Sequence, residues 1–178
     1  MNDMQVEVFD HQLLPFDVHL VSDAWWQYWH NYRGQRLEES MDNYVAESFG
    51  LEFTDKLADT TATFYVQQIL RRHVDNHRVV IIWNAYIEPF TFENKRISGI
   101  YFQEQSHVII KRIEREASML TRLSTCEIVT PHVLDETLVD KTKMAALTDF
   151  VASSLSNITM RNEKVEDMLL DLQRRAEE

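Results

Sequence analysis

The sequence predicts an α+β domain in which an antiparallel meander of about six strands wraps around a long C-terminal helix, with a short aromatic helix before the sheet. Two observations predict it. Apolar residues alternate with polar ones along most of the stretch from Asn43 to Thr130, which is the period of a β-strand with one buried face. From Met144 to Ile158 they recur every three or four residues, which is the period of an amphipathic helix.

The composition is that of a globular chain. It has 178 residues, of which 44% are hydrophobic and 26% charged, so it can bury a sizeable core. Three glycines argue against a nucleotide-binding fold, because phosphate loops need glycine where the backbone approaches the ligand. A net charge of −11 argues against nucleic acid and anionic membranes as partners, because both favour a basic surface.

The N-terminus and the single cysteine predict an intracellular protein, cytoplasmic or nuclear. The first residues lack the basic and apolar regions of a signal peptide. The longest apolar run, five residues from Val79, is too short to cross a bilayer. Cys126 has no partner for an intramolecular disulfide, which fits a reducing compartment, and we interpret it as a small buried hydrophobe in a strand.

Three regions are expected along the chain. Residues 1–20, interrupted by Pro15, are interpreted as an irregular lead-in. Residues 21–160 are expected to form the main domain. Residues 161–178 are highly charged and are expected to form a helical tail, either exposed or paired with a second copy in a short coiled-coil seam.

The main domain is expected to begin with a short helix. Ser22 and Asp23 offer an N-cap, and Trp25, Trp29 and Tyr32 follow at helical spacing. Large aromatic side chains on a helix usually anchor it to a core.

Six strands joined by short loops should follow, and short loops require antiparallel pairing. The strand over 78–88 is apolar on both faces, so we expect it to be central and covered on both sides. Turns are expected at Asp75–His77 and Glu93–Lys95, and Pro89 should end the strand between them. The expected strands are approximately 43–53, 60–74, 78–88, 97–103, 107–113 and 120–130.

The C-terminal helix should cover the buried face of the sheet. Thr137 and Asp140 resemble a capping box at its start. Its apolar stripe consists of Met144, Leu147, Val151, Leu155 and Ile158. Helix, curved meander and long terminal helix are the element order of a helix-grip fold, in which a cavity forms between the sheet and the last helix.

A concave apolar interior is the usual location for a small hydrophobic ligand. Glu47 is the acidic exception on the apolar face of its strand, with Arg71 or Arg72 as the nearest candidate partner. Such a pair could orient a ligand's polar end or act as a general acid, whereas a Glu47 at a sheet bend would reach water. The candidate ligand-binding residues are Glu47, Phe49, Phe64, Arg71, Trp83, Tyr101, Leu147 and Val151.

Five runs of sequence resemble oomycete mating-specific, START-like proteins. They are VAESFGLEF (45–53), VQQILRRHVDNHRVVIIWNAYIEP (66–89), SGIYFQEQSHVIIKR (98–112), CEIVTP (126–131) and ALTDFV (146–151). The resemblance spans roughly Trp25 to Ile158. It implies a START-like domain, a class whose better-known members hold sterols, phospholipids or other apolar molecules.

Three functions stay open on the sequence. The first is a non-enzymatic, regulatory or sensory module that binds a hydrophobic small molecule or lipid. The second is a protein-interaction module with a filled core, and the third is a cyclase-like enzyme on the same fold. No cofactor or metal is expected, because the chain lacks phosphate-loop and dinucleotide motifs and its seven histidines show no metal-ligand spacing.

Overall fold

The computed structural model describes residues 5–31, 40–41, 43–55, 59–115, 118–135, 140–155 and 158–177. The fold is α+β, as predicted: an antiparallel sheet is covered on one face by helices, and the C-terminal helix lies in that cover. We call the covered face of the sheet the inner face and the opposite one the outer face. Among the described helices, none has the length and apolar content needed to cross a membrane.

The sheet contains eight strands, two of them only two residues long. They are β1 (Val6–Leu14), β2 (Ser40–Met41), β3 (Tyr44–Asp55), β4 (Thr60–Val74), β5 (Arg78–Phe92), β6 (Lys95–Arg96), β7 (Ile100–Arg115) and β8 (Ser118–Val133). The helices are α1 (Val18–Asn31), α2 (Lys141–Phe150) and α3 (Ile158–Glu177), with a π-helical turn over Val151–Leu155 between α2 and α3.

The strand order is β1-β8-β7-β5-β4-β3-β2, with β6 paired to β5, and each pairing is antiparallel. The stretch from β2 to β8 is the expected meander. β1 lies beside β8, at the opposite edge from β2, and α1 connects the two edges.

β1 corrects the expectation of an irregular lead-in. Its residues alternate between half-buried and exposed positions, so it is a regular edge strand. The sequence pattern did not predict a strand here because two of its apolar residues, Phe9 and Leu13, point outward and are exposed. Asp10 and Gln12 take the inner positions instead. Between Phe9 and Leu13 the usual pattern is therefore disturbed, because polar residues lie inside and the apolar Phe9 and Leu13 lie outside.

Two other strand boundaries also differ from prediction. β5 continues past Pro89 to Phe92. The register between β4 and β5 shifts at this point, so that Phe90 has no partner in β4 and forms a bulge. A proline is tolerated at a bulge although it has no backbone N–H to donate. The segments expected as 97–103 and 107–113 form one strand, β7, since Glu104 and Ser106 continue its alternation as buried residues. The expected hairpin turns at Asp75–His77 and Glu93–Lys95 are confirmed.

α1 begins four residues before the predicted cap. The Oδ1 atom of Asp17 accepts a hydrogen bond from the backbone N–H of His19 at 2.9 Å, which is the bond that an N-cap residue makes. Trp25 and Trp26 are buried, so the prediction that this helix is anchored by aromatic residues is confirmed for them. The side chain of Trp29 and the residue Tyr32 lie outside the described part of the chain.

The expected single C-terminal helix is divided in two. Asp140 caps α2 by accepting a hydrogen bond from the N–H of Thr142 at 2.9 Å, while Thr137 lies outside the described residues. Of the predicted stripe, Met144 is half-buried and Leu147 and Val151 are buried; the side chains of Leu155 and Ile158 are not described.

α3 is part of the core. Val165 and Leu169 are fully buried, and Arg161 and Asn162 are buried one turn earlier. These residues share one helix face, while charged residues occupy most of the others. The expectation that 161–178 is a charged tail with little burial is therefore wrong. Both expected domain boundaries, after residue 20 and after residue 160, fall inside helices.

Two groups of buried side chains form the core. The first apolar cluster lies under α1 and α3, and the second lies under α2 and the π-helical turn. The first includes Trp25, Leu70, Ile81, Trp83, Val108, Ile110, Leu123, Val165 and Leu169. The second includes Phe64, Val66, Ala85, Ile87, Phe102, Val129, Leu147, Phe150 and Val151.

The outer face of the sheet is uncovered along β5. This strand is central, as predicted, and Val79, Ile81 and Trp83 are buried. Ile82 on the outer face is 43% exposed, so the expectation that both faces are covered is wrong. Cys126 is a buried free cysteine in β8, as predicted, and burial raises the pKa of its thiol.

Candidate functional site

Polar side chains occupy two neighbouring rows of the inner face, where the two apolar clusters meet. One row runs across β3, β4, β5 and β7 through Glu47, Gln68, Ala85 and Glu104. The adjacent row runs across β4, β5, β7 and β8 through Leu70, Trp83, Ser106 and Glu127. We call Glu47, Gln68, Glu104, Ser106 and Glu127 the polar band.

The Glu47 end of the band is satisfied by a neighbouring strand. The side-chain amide of Gln68, which is buried, donates a hydrogen bond to Oε1 of Glu47. The partner predicted for Glu47 was Arg71 or Arg72. Arg72 instead donates to Asp23 at 2.8 Å and to Asn43 at 2.9 Å, and Arg71 lies on the outer face over the ring of Tyr44.

Glu104 accepts two hydrogen bonds inside the core. The indole N–H of Trp83 donates to its Oε1 atom, and the hydroxyl of Ser106 donates to the same oxygen at 3.3 Å. Trp83 is thus both an apolar wall of the first cluster and a donor to the polar band. These two donors compensate for part of the cost of removing the Glu104 carboxyl from water.

Glu127 is the most deeply buried member of the band, with no exposed surface. Among the residues that the structure describes, no N–H group and no hydroxyl donates to either carboxyl oxygen. Burial is the main cause that raises the pKa of Glu127 to about 10; the neighbouring Glu104 acts in the same direction, and Arg161 opposes the shift. A side-chain hydrogen bond with Glu104, in which the protonated carboxyl of Glu127 donates, acts in the same direction. At neutral pH Glu127 therefore keeps its proton.

The first turn of α3 brings two polar residues over the sheet. The guanidinium carbon of Arg161 lies 5.7 Å from the ring centroid of Trp83, a distance typical of a cation–π contact. The side-chain amide of Asn162 donates to Asp10 at 2.7 Å and to Thr125 at 3.1 Å. These bonds fix α3 to β1 and β8, so the cation of Arg161 is held above the polar band.

The structure brings six of the eight predicted site residues to the inner face. Glu47 belongs to the polar band and Trp83 to the first cluster, while Phe49, Phe64, Leu147 and Val151 pack in or against the second cluster. Arg71 and Tyr101 lie on the outer face. Tyr101 stacks there on His132, with ring centroids 4.7 Å apart, and its ring lies 5.0 Å from that of Tyr86 in a tilted arrangement. These two residues lie away from the interior to which the prediction assigned them.

Sequence reasoning missed other polar groups of the interior, among them Gln68, Glu104, Ser106, Glu127, Arg161 and Asn162. A signal for two of them existed. In β7 the buried positions Phe102, Val108 and Ile110 alternate in phase with Glu104 and Ser106, so strict use of the two-residue period would have placed both polar residues inside.

The described surface includes a small cleft and two wider grooves. A cleft of about 120 Å³ opens beside Ile100, Lys143, Met144 and Leu147, where the start of α2 meets β7. Two wider grooves, of about 540 and 550 Å³, lie on the outer face. The first of these includes Gln67, Asn84, Tyr86, Tyr101 and Gln103, and the second includes Phe9, His11, His107 and Cys126. In the part of the chain that the structure covers, no group of three His, Cys, Asp or Glu residues is arranged to hold a metal ion.

Comparison with known proteins identifies no family. No family model matches the chain, and no curated protein matches it. Among solved structures, it is similar to the Mll3558 protein from Rhizobium loti, with 12% identity over 83% of this chain and 91% of that one and a TM-score of 0.43. An uncharacterized protein from Rhizobium leguminosarum has 12% identity, coverage of 96% and 97%, and a TM-score of 0.41.

A conserved protein from Geobacillus kaustophilus has 8% identity, coverage of 93% of this chain and 96% of its own, and a TM-score of 0.45. Similarity at this level identifies neither a ligand nor an activity for this chain. The START-like resemblance of the sequence stays a prediction.

Proposed function

We propose that the protein is a non-enzymatic, START-like binding module that works inside the cell and holds a hydrophobic small molecule or lipid between the inner face of the sheet and α2–α3. The observation that carries the proposal is the polar band at the junction of two apolar clusters. A core selected for stability alone would be apolar there, because a buried polar group without a partner costs about 1–3 kcal/mol. A ligand with an apolar body and a polar end accounts for both parts of the interior.

The second apolar cluster is the better candidate for the apolar end of the ligand. Phe49, Phe53 and Met144 pack against it while only partly buried, so its boundary is less closed than that of the first cluster. The cleft beside Met144 and Leu147 lies at the same end of the interior. We propose that a ligand enters there and extends toward the polar band.

The α2–α3 connection supports entry at this place. The π-helical turn over Val151–Leu155 interrupts the hydrogen-bond ladder between the two helices, and π-turns inside helices occur frequently at functional sites. α2 covers the second cluster, whereas α3 covers the first. A movement of α2 would therefore open the second cluster while α3 stayed in place.

The test is ligand binding by two variants that place the same side chain on opposite faces. Ala85 lies in the row between Gln68 and Glu104 on the inner face, so Ala85→Phe would occupy the interior beside the polar band. Asn84→Phe adds the same ring to the outer face. We expect the wild type to bind the apolar dye N-phenylnaphthylamine with a fluorescence increase, Asn84→Phe to retain that binding, and Ala85→Phe to lose it.

Native mass spectrometry of the purified wild type supplies the second measurement. An adduct that organic solvent removes would support the proposal. A protein without any adduct that also binds no dye would overturn it and favour a protein-interaction module with a filled core. Equal dye binding by a folded Ala85→Phe variant would also overturn it, because the ligand would then lie elsewhere.

One observation favours a second candidate, a cyclase-like enzyme. Glu127 keeps a proton at neutral pH and lies beside Glu104, and such a pair can serve as general acid and base. None of the described histidine side chains takes part, since they lie at exposed or half-buried positions. Recovery of a chemically altered ligand after incubation with wild type, but not with Glu127→Gln, would identify an enzyme.

A further inference from the structure

We infer that two copies of the protein associate through β1, which pairs antiparallel with β1 of the second copy and joins the two sheets into one. The inference goes beyond the proposed function and is independent of it, because no residue of β1 lines the cleft through which a ligand is proposed to enter. It starts from the position of β1 at an edge of the sheet, where β8 is its only neighbour among the described strands.

β1 lacks the features that usually prevent an edge strand from pairing. Natural proteins protect sheet edges with short strands, lysines, prolines or bulges. β1 is nine residues long and contains neither lysine nor proline, and its register with β8 is unbroken over its whole length. Phe9 is 69% and Leu13 51% exposed, the largest exposed fractions among the large apolar residues of the described strands. β1 therefore offers apolar surface to a partner.

The opposite edge of the sheet has a different chemistry. It consists of β2, which is two residues long, and of the part of β3 that β2 does not reach. The exposed residues of that part are Gly50, Glu52 and Thr54. They offer a partner small side chains and a carboxylate instead of apolar surface. This comparison favours β1 as the edge that pairs.

The backbone groups on the free side of β1 include those of Phe9, His11 and Leu13. Asp10 lies opposite Thr125 in β8, and the hydroxyl of Thr125 donates to the carbonyl of Asp10 at 3.4 Å, so this carbonyl points toward β8. The backbone groups of successive residues in a strand point to alternate sides. The N–H and C=O groups of the three outer residues therefore point away from β8, toward the position of a further strand.

The residue pattern of β1 is complementary to itself, which favours a second copy as the partner. A two-fold axis through His11 places apolar residues opposite apolar ones and polar residues opposite polar ones on both faces of the joined sheet. The opposed pairs are Phe9 with Leu13, Val8 with Leu14, and Asp10 with Gln12.

Axes through the neighbouring residues give poorer matches. An axis through Asp10 would place two carboxylates directly opposite each other, and like charges in that position are destabilising. An axis through Phe9 would place Asp10 opposite Val8. With the axis through His11, by contrast, the carboxylate of Asp10 faces the amide of Gln12, which can donate to it, in addition to the bond of 2.7 Å that it receives from Asn162.

The dimer should be weak and sensitive to salt. One pair of strands is a small contact compared with the roughly 800 Å² per partner of a typical stable interface. Each chain also carries a net charge of −11, so two copies repel each other. Salt screens this repulsion. We therefore expect dimers at high protein concentration, in larger amount when the ionic strength is raised.

Sedimentation equilibrium of the full chain tests the inference. Protein concentrations from about 1 to about 200 µM cover the range of micromolar dissociation constants. Over this range the average mass should rise from 21.1 kDa toward twice that value, and more steeply at higher salt. The mass of a single chain at every concentration and salt would overturn the inference.

Two lysine variants locate the contact. Phe9→Lys places a charge on the edge strand and should raise the dimer dissociation constant at least about tenfold. Ile82→Lys is the matched control, because Ile82 is 43% exposed on the outer face of the central strand β5, and it should dimerise like the wild type. Loss of the dimer in Ile82→Lys, or its persistence in Phe9→Lys, would overturn the inference and place the contact elsewhere.

Disulfide formation locates the axis. A Cys126→Ser background removes the native thiol, which lies opposite Phe9. In that background His11→Cys places two thiols opposite each other across the axis, with Cα atoms about 5.5 Å apart, a separation that a disulfide spans. Oxidation with copper phenanthroline should join the His11→Cys chains at least about tenfold more efficiently than the Phe9→Cys or Ile82→Cys chains.

Equal or better crosslinking of Ile82→Cys would overturn the inference, and preferential crosslinking of Phe9→Cys would overturn the assigned axis. Phe9, His11 and Ile82 are exposed, so these variants should fold, and melting curves verify this. Should one of them fail to fold, the sedimentation of the wild type and the remaining variants still decide the matter.

Discussion

The two faces of the sheet place similar side chains in opposite surroundings. Ile81 and Ile82 are consecutive in β5, yet Ile81 is completely buried and Ile82 is 43% exposed. Conversely, Glu104 and Glu127 are buried on the inner face, while Phe9 on the outer face is 69% exposed. For these residues burial therefore follows the side on which the helices pack and not the polarity of the side chain. The inner carboxyl groups are in the interior despite their chemistry, which points to a role other than stability.

The largest effect should come from charging the inner contact of α3. Leu169 is fully buried in the first apolar cluster, so Leu169→Asp places a carboxyl where it has no water and no partner. We expect the variant to be insoluble or to lack a cooperative melting transition. Leu172→Asp is the matched control, since Leu172 is exposed on the same helix, and it should melt like the wild type.

Truncation after Met160 should have the same consequence as Leu169→Asp, because it removes Val165 and Leu169 from the core. A soluble, cooperatively melting protein that ends at Met160 would contradict the burial of α3. It would also restore the earlier interpretation of the last segment as a tail.

The isoleucine pair in β5 gives the second-largest effect and the most direct comparison of the two faces. Ile81→Ala should destabilise the protein by about 2–5 kcal/mol, the usual cost of truncating a large aliphatic side chain in a packed core. Ile82→Ala should cost less than about 1 kcal/mol, because the side chain is already in contact with water. Urea unfolding of both variants measures the difference. Equal losses would mean that the outer face is covered in solution.

The last effect concerns Glu127 and is spread over several pH units. In the unfolded chain this carboxyl loses its proton near its ordinary pKa of 4.5, whereas in the folded protein it keeps the proton until about pH 10. Between these values the folded state binds more protons than the unfolded state, so stability falls as pH rises, by at most about 1.4 kcal/mol per pH unit. The contribution is present in full below pH 4.5 and is lost progressively toward pH 10.

Glu127→Gln removes this dependence. Its stability advantage over wild type in urea unfolding should grow steadily between about pH 6 and pH 8, by up to roughly 1.4 kcal/mol per unit. Glu52→Gln, on the exposed side of β3, should run parallel to the wild type. Parallel curves for wild type and Glu127→Gln would mean that Glu127 is ionised in the folded protein.

The sequence predicts the fold class and the buried faces well, because most inner positions are apolar. In β4, the residues Ala62, Phe64, Val66 and Leu70 were expected on one face and are buried. In these positions the alternation of apolar and polar residues matches the alternation of buried and exposed positions, so the two-residue period predicts the buried face.

The prediction fails where polar residues face inward. β1 was missed because Asp10 is on its inner side and Phe9 on its outer side, and β7 was divided because Glu104 and Ser106 interrupt its apolar residues. Asp10 bonds to Asn162 of α3, and the other two belong to the polar band. Prediction from the apolar pattern therefore fails at the candidate site itself. This is expected where a residue is retained for function although an apolar residue would stabilise the fold better.

The sequence pattern failed to predict the break between α2 and α3 for a different reason. Thr148 and Ser153 donate their hydroxyl protons to backbone carbonyls four residues earlier, at 2.7 and 2.6 Å. Such bonds compete with the helical ladder and bend helices. The apolar stripe of the segment keeps its helical spacing through this region, so periodicity alone predicted one helix.

The pairing of β1 with β8 also sets the order in which the protein can fold. Phe9 lies opposite Cys126, the hydroxyl of Thr121 bonds to the carbonyl of Phe16 across 105 residues, and Asn162 reaches Asp10 across 152. During synthesis the first strand leaves the ribosome long before its partner exists, and Leu14, which is buried in the folded protein, is then exposed to water. Contacts between distant residues form slowly, so the first strand to be made can join the sheet only after β8 has been made, and its contact with Asn162 requires α3 as well.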